Sequence, residues 1–239
     1  MTADHSISAR KFDTGRAGEY EQQSRIALAG YDACHELAAC MLAASIGTGR
    51  KARILVVGAG GGAKEVVTAG ALEPNWTFTA VDPSQAMMDL SIARLEEHDL
   101  LGRTEIVVGS LDGVPAADPF DAATLIGVLH HIPGDADKIV LLRQIAERLK
   151  PGAPLILAGN RYAYASRPQL LAAWEQRWRM TGSSPDEMKA KLAKILDSAD
   201  PPQSEEAVAA LLAQSGFDAP EPFFSSLFWC AWMSRKRPV

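Results

Sequence analysis

Short, nearly continuous apolar runs alternate along this chain with segments whose apolar residues recur every three or four positions. RILVV (53–57), TFTAV (77–81), TEIVV (104–108), DAATLI (121–126) and PLILA (154–158) read as strands. Between them GAKEVVTAGAL, SQAMMDLSIARLEEH and DADKIVLLRQIAERL carry helical spacing. Strand–helix alternation with crossovers of this length predicts a parallel, doubly wound α/β sheet. Strands without polar alternation predict burial on both faces.

After Asn160 the alternation stops. YASRPQLLAAWEQRWRM, SPDEMKAKLAKILDSA and SEEAVAALLAQSG read as three successive helices. Ser184 before Pro185, with Glu187 in the first turn, is a helix start, and Ser204 opens another. FFSSLFWCAWMSRK then supplies strand-forming residues to finish the sheet. Residues 26–46 place Cys34, Leu37, Ala38, Met41 and Leu42 at helical spacing around Asp32, His35 and Glu36, which predicts one half-buried helix and no membrane span. The expected organisation is a helical cap over 1–50 and a main domain over 51–239, with a helical lid insertion at 161–215. Such an insertion lies over the carboxyl edge of the sheet, where ligands bind in doubly wound folds.

In ILVVGAGGGAKEV, Gly58, Gly60, Gly61 and Gly62 follow a strand and precede a helix, so the backbone turns tightly and lets a ligand approach. Gly58, Gly60 and Ala63 satisfy the dinucleotide pattern G-x-G-x-x-G/A. Asp82, 24 residues after Gly58 at the end of the next strand, suits a ribose whose vicinal hydroxyls both donate to one carboxylate. These residues indicate an adenosine ligand and leave its class open.

VVGAGGG, AVDPSQAMM, VVGSLDGVP, FDAATLIGVLHHIP and ERLKPGAPLIL stand in the order and spacing of class I S-adenosylmethionine-dependent methyltransferases, which the chain resembles over about residues 53–160. LLAQSGFDAPEPFFSSLFWCAWMSRK is similar to the closing helix and strand pair of that family. The resemblance implies a Rossmann-like seven-stranded sheet of order 3-2-1-4-5-7-6 and S-adenosyl-L-methionine as cofactor. It implies that Gly58, Ala59 and Gly60 lie under the methionine portion and ribose. Asp82 would hold the ribose hydroxyls, and Pro83 with Met87 would cover adenine. Ser110 and Leu111 would flank the adenine edge, with Gly127 and Val128 at the sulfonium. The family commonly has an acidic residue where Ser110 stands, and Asp112 is the nearest carboxylate in sequence.

Methyl transfer needs alignment and water exclusion, with a base only if the nucleophile carries a proton. His130 and His131 are the base candidates, or else turn-packing residues. Asn160 suits either substrate orientation or a turn. EYEQQSRIALAGYD resembles the leading helix of small-molecule methyltransferases, including the carboxy-S-adenosylmethionine-associated group, which implies roles for Tyr20 and Arg25 at the cofactor and Tyr31 at the substrate. Helical spacing puts Trp174 and Trp178 on one face with Arg177 beside them; with Phe224 they form either core or an aromatic substrate chamber. Alternatives to transfer are modification of the cofactor itself, with Arg25 or Arg161 as the cation it needs, or binding without catalysis.

Composition narrows the partners. A net charge of −5 over 239 residues provides no basic path for nucleic acid or an anionic membrane. The substrate expected is a small molecule with an O- or N-nucleophile, acted on by a monomer or homodimer. A polar amino terminus predicts a cytoplasmic protein. Cys34, Cys40 and Cys230 lack metal-ligand spacing and read as buried reduced thiols.

Overall fold

A computed structural model describes residues 14–115 and 118–238, with side chains from Glu21 onward, Ser198 excepted. Its strands are β1 Ala52–Val57, β2 Trp76–Asp82, β3 Thr104–Val108, β4 Ala122–Ile126, β5 Pro154–Asn160, β6 Glu221–Ser226 and β7 Trp229–Arg235. They form one seven-stranded sheet in the order β3-β2-β1-β4-β5-β7-β6, as the resemblance implied. The pairs from β3 to β5 are parallel, and β7 runs antiparallel to both β5 and β6.

Among the described residues eight helices surround the sheet: α1 Thr14–Ala27, α2 Tyr31–Ile46, α3 Lys64–Leu72, α4 Gln85–Glu97, α5 Asp135–Arg148, α6 Pro168–Met180, α7 Pro185–Ser198 and α8 Glu205–Gln214. Because helices cover both faces, every residue of β4 and β5 is buried. Ala38, Leu42, Val66 and Met88 pack on Ile54, Val56 and Ile156, while Leu142, Ile145, Leu211 and Leu212 pack on Leu55, Leu125 and Leu157. Alternate residues of one strand therefore serve two cores. Both expected serine caps form: Ser184 and Glu187 make a reciprocal capping box, and Ser204 accepts from the Ala207 N–H.

Two expectations need correction. Residues 26–46 are not one helix, because the chain turns at Gly30 (φ 85°) between α1 and α2. A β-carbon at Gly30 would lie 3.3 Å from the Phe224 ring, so glycine serves both the left-handed turn and the close approach. The buried face of α2 is Cys34, His35, Ala38, Ala39, Leu42 and Ala43, which leaves Leu37 and Cys40 exposed. Likewise the helix expected from Tyr164 starts at Pro168. Proline disfavours helical geometry in the residue before it, and Arg167 is non-helical at φ −131°, ψ 63°.

Of the three helices after β5, α8 belongs to the sheet layer beside α5. A third, smaller core joins α6 and α7 to α1 through Ile26, Tyr164, Trp174, Trp178 and Phe228. Among the described residues no single helix is long and apolar enough to cross a membrane. Glu21–Ala27 and Tyr31–Ile46 would reach the length only together, across an 87° bend.

Candidate active site

The glycine turn joins β1 to α3 at the carboxyl edge, and its amides are consumed inside the protein. Gly58 and Ala59 donate to the Val81 carbonyl at 2.8 and 3.1 Å, and Gly61 donates to the Met87 carbonyl at 3.0 Å. Gly60 donates to Asp82 Oδ2 at 3.0 Å and Gly62 to Ser91 Oγ at 3.1 Å. A β-carbon on Gly60 would stand 2.6 Å from both Asp82 Oδ2 and Met87 Cβ. On Gly58 it would stand 2.1 Å from Val128 Cγ2. Above Gly62 there is open space.

This bonding separates the two adenosine classes that the glycines alone left open. A dinucleotide or nucleotide site of this topology points free amides and a helix N-terminus at phosphate. Here all five amides of residues 58–62 are occupied. The first turn of α3 also carries Glu65, whose carboxyl group accepts from its own backbone N–H. Burial raises the Glu65 pKa, with the neighbouring His35 opposing that rise. Two carboxyl groups and a turn whose amides at 58–62 are all occupied make a poor home for pyrophosphate.

Asp82 remains well placed for hydroxyls. Its Oδ1 accepts from the Ser84 N–H at 2.8 Å and its Oδ2 from Gly60, so each oxygen keeps further acceptor capacity. Burial raises its pKa, while the Ser84 and Gly60 amides pull it down. Pro83 is exposed above it, whereas Met87 is buried with its Cβ against the position of a Gly60 side chain. Leu111 is likewise core, packed with Val114 and Leu142, and only Ser110 of that pair is partly open. Asp112 turns away to accept from Gln144 Nε2 at 3.3 Å. Gly127 (φ 77°) and Val128 are half-buried at the end of β4.

The amino-terminal helix reaches this region through ion pairs. Arg25 bonds Asp32 and Glu21 and lies 4.8 Å over the Tyr31 ring. Lys64, the first residue of α3, bonds the same Asp32 at 3.0 Å. Arg25 thus sits near the turn but is engaged by two carboxylates, which hold its pKa above the usual arginine value. The Tyr20 side chain lies outside the described residues. Arg161 is also engaged: Nη2 donates to Ser225 Oγ at 2.8 Å, and Nε lies 3.6 Å from Glu205.

The two histidines occupy different environments. His130 is 4% exposed, and its Nδ1 accepts from the Asn160 backbone N–H at 3.4 Å. Its ring meets Trp229 edge-on at 5.4 Å. Burial, with His131 and Lys138 adding like charge, holds its pKa well below the ordinary histidine range. His131 is partly exposed. His130 therefore has a packing position, and its titration bears on stability. The folded state keeps it neutral while the unfolded state protonates near pH 6.5, about the free value. The unfolded chain then binds the extra proton, so stability is complete above that pH and declines as pH falls below it. Between pH 7.5 and 5.5 the melting midpoint of the wild type is expected to fall more steeply than that of His130→Asn. Parallel curves would assign the slope to other groups.

The aromatic chamber expected around α6 is core. Trp174 and Trp178 are 1% and 2% exposed, and Trp174 Nε1 donates to the Ala27 carbonyl at 2.8 Å. Arg177 Nη2 donates to the Arg25 carbonyl at 3.1 Å. These residues dock α6 on the end of α1. Phe224 fills the notch at Gly30. Asn160 is buried at the end of β5, its Nδ2 donating to Tyr164 Oη at 2.8 Å. Trp229, beside both Asn160 and His130, is the neighbour that the sequence pattern did not single out.

Residues 55–155 match the family described as a methyltransferase domain. Comparison with curated proteins gives no match. Among solved structures, a protein described as an O-methyltransferase from Nostoc punctiforme aligns with 92% of this chain and 60% of its own, at 14% identity and TM-score 0.66. An O-methyltransferase family 2 protein from Planctomyces limnophilus, solved in complex with apigenin, aligns with 98% of this chain and 62% of its own, at 17% identity and TM-score 0.66. A riboflavin-type dimethyltransferase from Streptomyces davawensis aligns at 22% identity and TM-score 0.57, over 83% of this chain and 53% of its own. At these identities the structures establish the fold, and this chain spans about 60% of the length of the first. Residues 55–155 thus carry a methyltransferase domain, and the sheet order around them is that of the class I S-adenosylmethionine-dependent methyltransferase fold.

Proposed function

We propose that the chain transfers a methyl group from S-adenosylmethionine to an oxygen or nitrogen nucleophile of a small molecule. The observation that carries this is the glycine turn whose amides are all used internally while Asp82 keeps acceptor capacity. Asp82 would take the ribose hydroxyls, exposed Pro83 would cover adenine with Ser110 at its edge, and Gly127 and Val128 would line the sulfonium end. When bound, S-adenosylmethionine supplies a methyl group on a positively charged sulfur, activated for in-line displacement. The chain contributes alignment and water exclusion. His131 would take the proton that the substrate oxygen or nitrogen gives up on methylation. Its partly exposed ring can release that proton to solvent.

Substrate size follows from charge and from the lid. A net charge of −5 favours no polyanion. The Planctomyces limnophilus relative binds apigenin, which supports a small-molecule acceptor. Modification of the cofactor would require a free cation beside the sulfonium, and both Arg25 and Arg161 are engaged elsewhere. Calorimetric titration with S-adenosylhomocysteine and with NAD tests the proposal, and binding of NAD alone would overturn it. Asp82→Ala should weaken S-adenosylhomocysteine binding by about 3–6 kcal/mol, because two ribose hydroxyls each lose a charge-assisted hydrogen bond worth about 1.5–3 kcal/mol.

A further inference from the structure

Among the buried polar atoms of the described residues that lack a hydrogen-bond partner are Oδ1 of Asn160 and Nε1 of Trp229, both at the carboxyl edge. Their residues are only 5% and 9% exposed. Asn160 ends β5, Trp229 begins β7, and the two are directly paired in the antiparallel register. Their side chains therefore rise from the same face with β-carbons about 5 Å apart. A buried donor or acceptor with no partner forfeits the hydrogen bond it had to water, so an unsatisfied pair in one place calls for an explanation.

The neighbours of both atoms are already fixed. Asn160 Nδ2 donates to Tyr164 Oη, and its backbone N–H donates to His130, so Oδ1 is the acceptor left over. The Trp229 ring lies edge-on to His130, and its Cη2 would be 3.5 Å from a β-carbon on Gly127. Gly127 is the residue after β4 that lines the sulfonium end in the proposed transfer.

We propose that Asn160 and Trp229 clamp a hydroxyl of the substrate, the one that accepts the methyl group. The indole N–H donates to the hydroxyl oxygen, and the Asn160 carbonyl orients its O–H until that proton leaves for His131. One donor beside one acceptor complements a hydroxyl, which offers both functions at a single atom. An aromatic amine fits only half of the pair, since its nitrogen lone pair is delocalised into the ring and Trp229 stays unsatisfied. The inference rests on the methyltransferase reading and narrows it to oxygen nucleophiles; Asn160 and Trp229 are substrate-orienting residues in it.

The test uses the full chain, ¹⁵N-labelled at its five tryptophans, with the Trp229 indole resonance assigned by its absence in Trp229→Phe. S-adenosylhomocysteine is added first, followed by calorimetry. No binding overturns the transferase reading and the clamp with it. With S-adenosylhomocysteine bound, phenol should move the Trp229 N–H resonance downfield and saturably, while aniline and toluene move it far less. Trp229→Phe should weaken phenol binding about tenfold and leave S-adenosylhomocysteine affinity within twofold. An equal response to phenol, aniline and toluene, or no response to phenol, overturns the clamp and leaves the transferase reading standing.

Discussion

Alanine in place of Gly60 is expected to abolish measurable S-adenosylhomocysteine binding and to lower the melting midpoint. The added carbon would lie 2.6 Å from Asp82 Oδ2 and 2.6 Å from Met87 Cβ. Neither neighbour is the free end of a flexible side chain. The carboxylate is held by the Ser84 amide, and Met87 Cβ is attached directly to the backbone of α4. Relief requires either Asp82 to leave its place or α4 to shift, and overpacking of this kind costs about 1–3 kcal/mol of stability. Loss of the carboxylate removes charge-assisted hydrogen bonds worth about 1.5–3 kcal/mol each, so two of them correspond to a fall in affinity of more than about 100-fold. Gly102→Ala is the control, since nothing lies within 4 Å of its added carbon. Binding by Gly60→Ala within threefold of wild type would show that Asp82 does not hold the cofactor.

The sheet was legible because strands buried on both faces must be written as uninterrupted apolar runs; all five runs found that way are strands, although β3, at the sheet edge, is mostly only partly buried or exposed. The glycine turn and Asp82 were legible too, since a strand–glycine–helix junction with a carboxylate one strand later is a local pattern. What could not be read is contact between distant segments. Trp174 finds its acceptor 147 positions away at Ala27, so nothing near it in sequence marks it as a docking residue and not a pocket wall. Gly30 looks like an ordinary weak point in a helix until Phe224 is seen against it. Trp229 lies in a run of aromatic residues, and only the register with Asn160 distinguishes it. His130 and His131 are adjacent in sequence, yet the 3₁₀ turn Leu129–His131 buries one and leaves the other partly open.

The end of the α6–α7 segment is tied down by a charge pair whose two halves should respond unequally to mutation. Asp200 follows α7; its Oδ2 accepts from Lys138 Nζ at 2.8 Å and from the Gly134 N–H at 2.7 Å. Its own N–H donates to the His130 carbonyl at 2.8 Å. Lys138 is 1% exposed, whereas the Asp200 side chain is 46% exposed. Burial alone would raise the Asp200 pKa, but the Lys138 ammonium and the Gly134 amide outweigh it, and the net shift is downward. Its contribution is therefore complete above the free aspartate value and is lost as pH falls through the lowered folded one. Asp200→Ala leaves an ammonium that cannot reach water, with the Gly134 carbonyl at 3.4 Å and Asp135 at 4.0 Å as its remaining partners. Breaking a buried pair in this way costs about 3–5 kcal/mol, and the half-exposed aspartate argues for the lower end of that range. Lys138→Met keeps most of the buried stem, and the freed carboxylate can turn to water, so about 1 kcal/mol or less is expected. At about 2–4 °C per kcal/mol for a chain of this size, the aspartate variant should melt several degrees below the lysine variant. It should also be cleaved faster by protease within 161–200, because α6 and α7 lose their far anchor. Equal melting points for the two variants would mean that the buried charge is satisfied without Asp200, and the latch would lose its basis.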